Sequence, residues 1–441
     1  MLGLFASRPT LLAGVFALLL PGLWVSARAQ PQAEFVPTSA IDLPALMTAV
    51  RDRSAALQAD HLEVDVKAAE ARQSHLIDNP VLDGAVGTIP LGTPNPPELQ
   101  DPLSNIPNYA VGLSLHPDLG RRGARITRAE RQSEAAEASR EAAVRREALR
   151  LLRILGDLAL AALRLSTDQH LAAQSRSALA LARDRVRTGY GPPLDADRAE
   201  IELLRLEQQV AADQGDVLTA QATCAEILGM RCARFTSEDE ARRFLASWTE
   251  RADPSQAPRR DLQIGRRPDL RALANLQAGA QAEARLAQAQ WLPDPTLRVG
   301  YMYDRFIASG NQQHSLSVSL SLPLPLLDHG QAGMQAAQAR VRRYTAQREL
   351  ATQAATVRAE ALRLALATQR QRLLALQQQV VPRGQAILNA IRRAFEARAV
   401  PLTDLNQAHR ALDELLLQEA AALADVFRLG VDLIELGGGN V

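Results

Sequence analysis

Ser315-Leu316-Ser317-Val318-Ser319-Leu320-Ser321-Leu322 decides how the chain is read. Aliphatic residues hold every second position and serine holds the rest. Successive side chains of a strand point to opposite faces, so Leu316, Val318, Leu320 and Leu322 share one face. One face suits oil and the other water, as in a strand of a membrane barrel. An amphipathic hairpin on a soluble core gives the same alternation, and these eight residues alone do not separate the two.

The same period recurs on either side. Leu297, Val299, Tyr301 and Tyr303 alternate with Arg298, Gly300, Met302 and Asp304. Tyr109, Val111, Leu113 and Leu115 alternate with Ala110, Gly112, Ser114 and His116. Residues 81–89 alternate less regularly. Each run approaches the roughly 9–11 residues that a tilted transmembrane strand needs. The strands pair as hairpins, 81–116 and 296–322, joined through Gly92–Pro107 and Arg305–Gln313. Both connections read as exposed loops, rich in turn formers in the first case.

The chain is written twice. Asn79-Pro80-Val81-Leu82 returns as Asp294-Pro295-Thr296-Leu297. Leu113-Ser114-Leu115 before Pro117 returns as Leu320-Ser321-Leu322 before Pro323. Pro193-Leu194-Asp195-Ala196-Asp197-Arg198-Ala199 returns as Leu402-Thr403-Asp404-Leu405-Asn406-Gln407-Ala408. Each half carries an opening helix (41–78 and 268–291), two strands, a very long helix, a turn and a returning helix. The expected order is a first repeat over 30–230, a linker or equatorial segment over 231–266, a second repeat over 267–436 and a flexible end at 437–441.

The long helices start where the strands stop. From Arg121 to Thr188 the pattern is helical and free of proline, on the order of 100 Å at 1.5 Å per residue. A matching run from Gln331 to Ala399 is interrupted by Pro382, which removes a backbone hydrogen bond and predicts a kink or break. Each ends in a turn, Gly189-Tyr190-Gly191-Pro192-Pro193 or Arg398-Ala399-Val400-Pro401, followed by a returning helix, 195–228 or 402–435. The helical hairpins thus cover 121–228 and 331–435. Asp195 and Asp404 follow these turns; the plain reading is a helix N-cap, the functional one a place in a constricted tip.

Composition narrows the class. The 441 residues carry 50 basic and 49 acidic side chains, which argues against a nucleic-acid binder. Aromatics are only 4%, fewer than one large globular core usually holds. Arg8, the apolar Leu11–Leu20 and Ala27-Arg28-Ala29 read as an export signal over 1–29. No cysteine lies near the cut, so no lipid attachment is expected there. No later segment has the ~18 apolar residues of a helical membrane span. Cys224 and Cys232 flank a helix end; after export they can pair across it, or stand as one buried and one loop thiol.

Four strands cannot close a barrel, and lipid does not tolerate an open sheet edge. Hairpins from several chains must combine. Two copies give eight strands, a barrel filled by its own side chains. Three give twelve and a lumen, which favours a trimer.

The residues resemble the TolC-type outer-membrane efflux factors and, within them, the outer-membrane component of cobalt-zinc-cadmium (heavy-metal) systems. The resemblance rests on Arg267-Pro268-Asp269-Leu270, Trp291-Leu292-Pro293-Asp294-Pro295, Leu322-Pro323-Leu324-Pro325-Leu326-Leu327-Asp328 and Asp118-Leu119-Gly120-Arg121-Arg122. It also rests on both turns with their aspartates and the final Leu436-Gly437-Gly438-Gly439. It implies a mainly α fold with a small membrane β part: a homotrimeric 12-stranded β-barrel continuing into a periplasmic α-helical barrel. It implies a Gram-negative outer-membrane setting, with lipid around the barrel. The duct would be passive, docked to a periplasmic adaptor (a membrane fusion protein) and an inner-membrane pump of the resistance-nodulation-division type. It places the adaptor-contacting tips at Gly189, Pro193, Leu194 and Asp195, and at Pro401, Leu402 and Asp404. Arg398 stands where relatives often have glycine, which makes Arg398 and Asp404 the gate candidates. Many relatives are lipid-anchored; this chain lacks the cysteine.

Catalytic and cofactor motifs are absent: no G-x-S-x-G, H-E-x-x-H, phosphate loop or C-x-x-C. His61 and Asp65 have the i,i+4 spacing of two metal ligands but read better as a solvated face. His116 and His329 read as polar junction residues, and the seven histidines are scattered. No enzyme, metal site or cofactor is expected. The competing reading is a periplasmic coiled-coil adaptor or scaffold without a barrel.

Overall fold

A computed structural model describes residues 34–87, 108–118, 120–251, 263–289, 294–304, 312–397 and 399–438. The export signal, most of both strand connections, Trp291-Leu292-Pro293 and Arg398 lie outside the described residues.

The elements run α1 (Leu43–Arg53), α2 (Gln58–Ser74), β1 (Val81–Gly87), β2 (Asn108–Leu115), α3 (Arg122–Arg187), α4 (Pro193–Leu228) and α5 (Glu238–Arg251). They continue α6 (Pro268–Gln288), β3 (Thr296–Asp304), β4 (His314–Ser321), α7 (Gln331–Ala375), α8 (Val381–Glu396) and α9 (Leu402–Leu436). The fold is mainly helical with a small strand part, as the sequence implies.

The four strands form one antiparallel sheet in the order β1-β2-β3-β4. Its middle pair, β2 and β3, joins the two halves of the chain. The register sets Leu82, Leu113, Val299 and Val318 in one row across the sheet. A second row holds Leu115, Leu297 and Leu320, and a third Val111, Tyr301 and Leu316. β1 is a true partner of β2 despite its weak alternation, because Gly84 takes an apolar-face position where a larger residue was sought.

α3 is a single unbroken helix of 66 residues. It lies against α2, α4, α6 and α9, while α9 in turn packs on α7 and α8. Toward the turns the helices therefore form a layer in the order α4, α3, α9, α8, with α4 and α8 as open edges. The opening segment 41–78 is two helices, not one. Asp42 caps α1 by accepting from Ala45 N at 2.8 Å, and the chain breaks at Ser54, whose backbone is extended.

The interruption expected at Pro382 is a π turn over Leu376–Val380, with Pro382 in the first turn of α8. There its missing N–H costs little.

The segment 231–266 is more than a linker. It holds α5, whose Phe244, Leu245 and Trp248 are fully buried in the main core beside Phe427 of α9. Phe244 stacks between Phe235 and Phe427, at 5.3 and 6.0 Å between ring centroids. Arg145 anchors the end of α9 from below the surface, donating to the carbonyls of Ile434 and Gly437, both at 2.8 Å. A guanidinium suits the negative end of a helix.

Candidate functional site

The sheet has one apolar and one polar face, and the apolar one is uncovered. Leu82, Val111, Leu113, Leu297, Val299, Val318 and Leu320 are all exposed, Leu320 at 67%. The opposite face carries Asp83, Ser114 and Arg298 together with the β4 serines. Arg298 pairs with Asp83, and Ser114 Oγ donates to Asp83 at 2.8 Å. Gly112 makes room for this cluster: a Cβ there would lie 2.7 Å from Arg298 Nε. The outer strands β1 and β4 each keep one side without a strand partner among the described residues.

A sheet that is oily on one face, charged on the other and open at both edges has no stable place in water as a single copy. Against lipid with a wet lumen, each face is satisfied. Val318→Arg on the apolar face is expected to cost about 2–4 kcal/mol of membrane stability. Ser315→Arg on the polar face is expected to be tolerated. The yield of folded, heat-modifiable protein in outer membranes distinguishes the two.

The helical layer ends in two turns that the structure brings side by side. Arg185 of α3 lies over the Phe395 ring of α8 at 4.2 Å. Leu179, Ala182 and Ala199 share a small apolar cluster with Leu388, Phe395, Leu402 and Leu405. Gly189 has φ +77°, a left-handed conformation that favours glycine and lets α3 end in a tight turn. Gly189, Pro193, Leu194 and Pro401 are exposed, and Asp195 and Asp404 are half-buried. Leu402 is buried in the tip cluster, so its side chain serves packing. Tyr190, not singled out from the sequence, is 85% exposed in the first turn.

The aspartates are not N-caps. Pro192 and Pro401 occupy the cap positions, with no side-chain cap bond. Asp195 and Asp404 sit in the first helical turn, where a negative charge meets the positive end of the helix dipole. Proline pre-sets the entry to the helix, which displaces the aspartate inward.

Glu202 of α4 ties the first hairpin to the second. It accepts from Arg205 at 3.0 Å and from Arg410 of α9. Burial pushes its carboxyl up, but Arg205 and Arg410 prevail and hold it below the usual range. Cys224 and Cys232 are disulfide-bonded, with Cα atoms 6.1 Å apart across the end of α4. No group of three or more metal-ligating side chains is found among the described residues, and no described helix is long and apolar enough to cross a membrane.

Sheet, open edges and long helical layer together define a channel-forming class, built to be completed by further copies. The profile of the outer membrane efflux protein family matches residues 46–230 and 261–439. The chain belongs to that family, which is one of channels and not enzymes. No curated protein sequence matches it. Solved structures share the fold at low identity. The outer-membrane channel OprN matches with a TM-score of 0.69 at 20% identity, over 90% of each chain. The outer membrane protein VceC of Vibrio cholerae gives 0.66 at 18%, over 90% of this chain and 96% of that one. The open-state MtrE outer membrane channel of Neisseria gonorrhoeae gives 0.67 at 18%, over 90% and 89%.

Proposed function

We propose that the protein is the exit duct of a tripartite efflux system, a homotrimer whose twelve strands close a barrel in the outer membrane. The single observation that carries this reading is the sheet with an oily face, a charged face and two open edges. Three copies close the edges. The Arg298–Asp83 cluster then lines the lumen, and the apolar rows meet lipid.

The helical layer supports the same assembly. Its edge helix α4 leaves Ile201, Leu204 and Leu218 uncovered, and α7–α8 leave Leu350, Val357, Leu364 and Ile387 uncovered. Leu350, Val357 and Leu364 recur every seven residues, the repeat of a coiled-coil seam. The edges also differ in charge. Residues 331–396 carry eleven arginines against three glutamates, and α4 carries eight acidic residues against two arginines. Unlike edges join head to tail, which closes a ring.

The turns would face a periplasmic adaptor, backed by a pump of the resistance-nodulation-division type. Gly189, Pro193, Leu194, Asp195, Pro401 and Asp404 form that surface, with Arg398 and Asp404 at the gate. The sequence resemblance to cobalt-zinc-cadmium systems makes metal cations the first cargo to test. Deletion should then sensitise cells to those metals; sensitivity to organic compounds alone would redirect the cargo.

The duct reading is tested by conductance of the purified protein in planar bilayers. Stable, water-filled channels support it, and an inert protein sinks it. At the tip, Asp404→Ala is expected to raise conductance or weaken adaptor association several-fold while the oligomer stays intact. An intact oligomer with both properties unchanged removes Asp404 from the gate.

A further inference from the structure

The apolar core of the helical part is in two pieces. The larger takes Ala143–Leu163 of α3, Val217–Leu228 of α4, Ala355–Leu376 of the α7 side and Ala420–Leu436 of α9. The smaller, at the turns, takes Leu171–Ala182, Ala199–Leu206, Leu388, Phe395 and Leu402–Leu412. Between them α3, α4 and α9 line a half-open cavity of about 580 Å³, half of whose lining residues are charged. On the remaining helix the interval holds the π turn and Pro382. All four helices therefore lose apolar packing or regular hydrogen bonding over the same stretch.

Two carboxyl groups occupy this stretch where the apolar stripe should run. Asp168 of α3 and Asp213 of α4 are each more than nine-tenths buried. Their carboxyls lie within hydrogen-bonding reach of each other. Gln209 donates to Asp213 Oδ1 at 3.2 Å. Among the described residues Asp213 Oδ2 has no protein N–H or hydroxyl donor, which leaves it free to accept a proton held on Asp168. Two touching, largely buried carboxylates resist ionising together.

The surrounding charges come from every packed helix. On α3 and α4, Arg164 and Arg205 pull Asp168 toward ionisation, but Arg205 is held by Glu202. Glu202 also binds Arg410 of α9. α9 adds Asp413, which faces Asp168, and Glu414 at the wall, while α4 adds Asp216. His409 of α9 works in the opposite direction to the carboxyls: burial, Arg392 of α8 and His170 of α3 hold it below the usual range, so closure disfavours its proton.

We propose that this layer is a proton-operated joint, in which the protonated Asp168–Asp213 pair closes α3 onto α4 and its loss of that proton loosens the tip-side helices from the core above. Burial, then the hydrogen bond and charge of Asp213, push the Asp168 carboxyl up to about 7. Burial, then the charge of Asp168, push Asp413 up to about 7 as well. Once water enters, such groups return toward the ordinary ~4. The closed joint thus binds more protons than the open one between about pH 4 and 7. Its closure is favoured at the acid end and lost as pH rises through that window. For one such carboxyl the opening constant rises on the order of thirtyfold from pH 5.5 to 8.5. The joint does not depend on what the duct carries or whether it conducts.

Hydrogen exchange on the full-length protein in detergent tests it, following amides 160–175 and 207–218 and correcting for intrinsic exchange chemistry. The wild type should open at least ~10-fold more readily at pH 8.5 than at 5.5. Asp168→Asn keeps a neutral donor in place and should cut that pH dependence several-fold, leaving the part carried by Asp413; Asp213→Asn should reduce it less, because burial is the first cause of the Asp168 shift. Infrared spectra at pH 6 should show a protonated carboxyl band in the wild type that weakens in both variants. Equal corrected exchange at the two pH values in the wild type would overturn the proposal. So would pH dependence of wild-type size in Asp168→Asn, or a wild type with no protonated band. Should either variant misfold, the wild-type exchange and infrared results still decide.

Discussion

With glutamate at both Val357 and Leu364, the detergent-extracted protein is expected to run as single chains. Both side chains lie on an uncovered edge of the helical layer, each about two-thirds exposed or more. Burying one such aliphatic side chain in a seam is worth about 1.5–3 kcal/mol. A ring of three copies repeats each contact three times. Glutamate removes the gain and places a carboxylate in a dry seam, where it lacks a partner. In the proposed ring the facing edge is the acidic α4, so the new charges also meet like charge. Ile201→Arg with Leu218→Arg on that edge, which in the proposed ring meets the arginine-rich α7–α8, should have the same outcome. Sizing in mild detergent reads the result. Wild-type-sized particles from both double variants would show that these stripes meet something other than a second copy.

Gly156→Leu is expected to unfold the helical core, with a loss of about 3 kcal/mol or more. A Cβ at Gly156 of α3 would lie 2.1 Å from Cε1 of Phe427, inside any permitted contact. Phe427 is fully buried and stacked on Phe244, so it has no room to retreat. α3 and α9 must separate, and with them the joint between the two halves of the chain. Gly156→Ala is informative because helix propensity alone favours alanine by about 1 kcal/mol. A net loss there shows that the contact prevails. Combining it with Phe427→Leu should recover much of the loss, a coupling that a double-mutant cycle isolates. Thermal denaturation followed by far-ultraviolet circular dichroism measures each variant.

The sequence made most of this architecture legible because both of its periods are long and clean. Alternation over 315–322 and 297–304 gives strands, and the proline-free run after Arg121 gives one long helix. β1 was harder to see because Gly84 occupies an apolar-face position. α5 escaped notice because its core contacts, Phe244 and Trp248, reach a helix that follows far later in the chain. The turn aspartates read from the sequence as N-caps, but proline takes the cap and places them in the first helical turn.

The buried carboxyls had a signal that was passed over. On α4, Leu203, Leu206, Val210, Asp213 and Val217 recur at intervals of three and four, so Asp213 stands in the apolar stripe itself. Asp168 stands likewise three residues after Leu165 and three before Leu171 on α3. A carboxylate in such a stripe needs a partner, and only the fold shows that the partner is another carboxyl. The Arg298–Asp83 pair was invisible for a similar reason: it spans strands from different halves of the chain.

The proposed assembly is a ring of three copies in the outer membrane. Native mass spectrometry of the protein extracted from purified outer membranes tests it most directly. The account predicts a particle of three chains, recovered only with detergent. A single chain or a pair, released to the soluble fraction without detergent, would contradict it and favour a periplasmic scaffold.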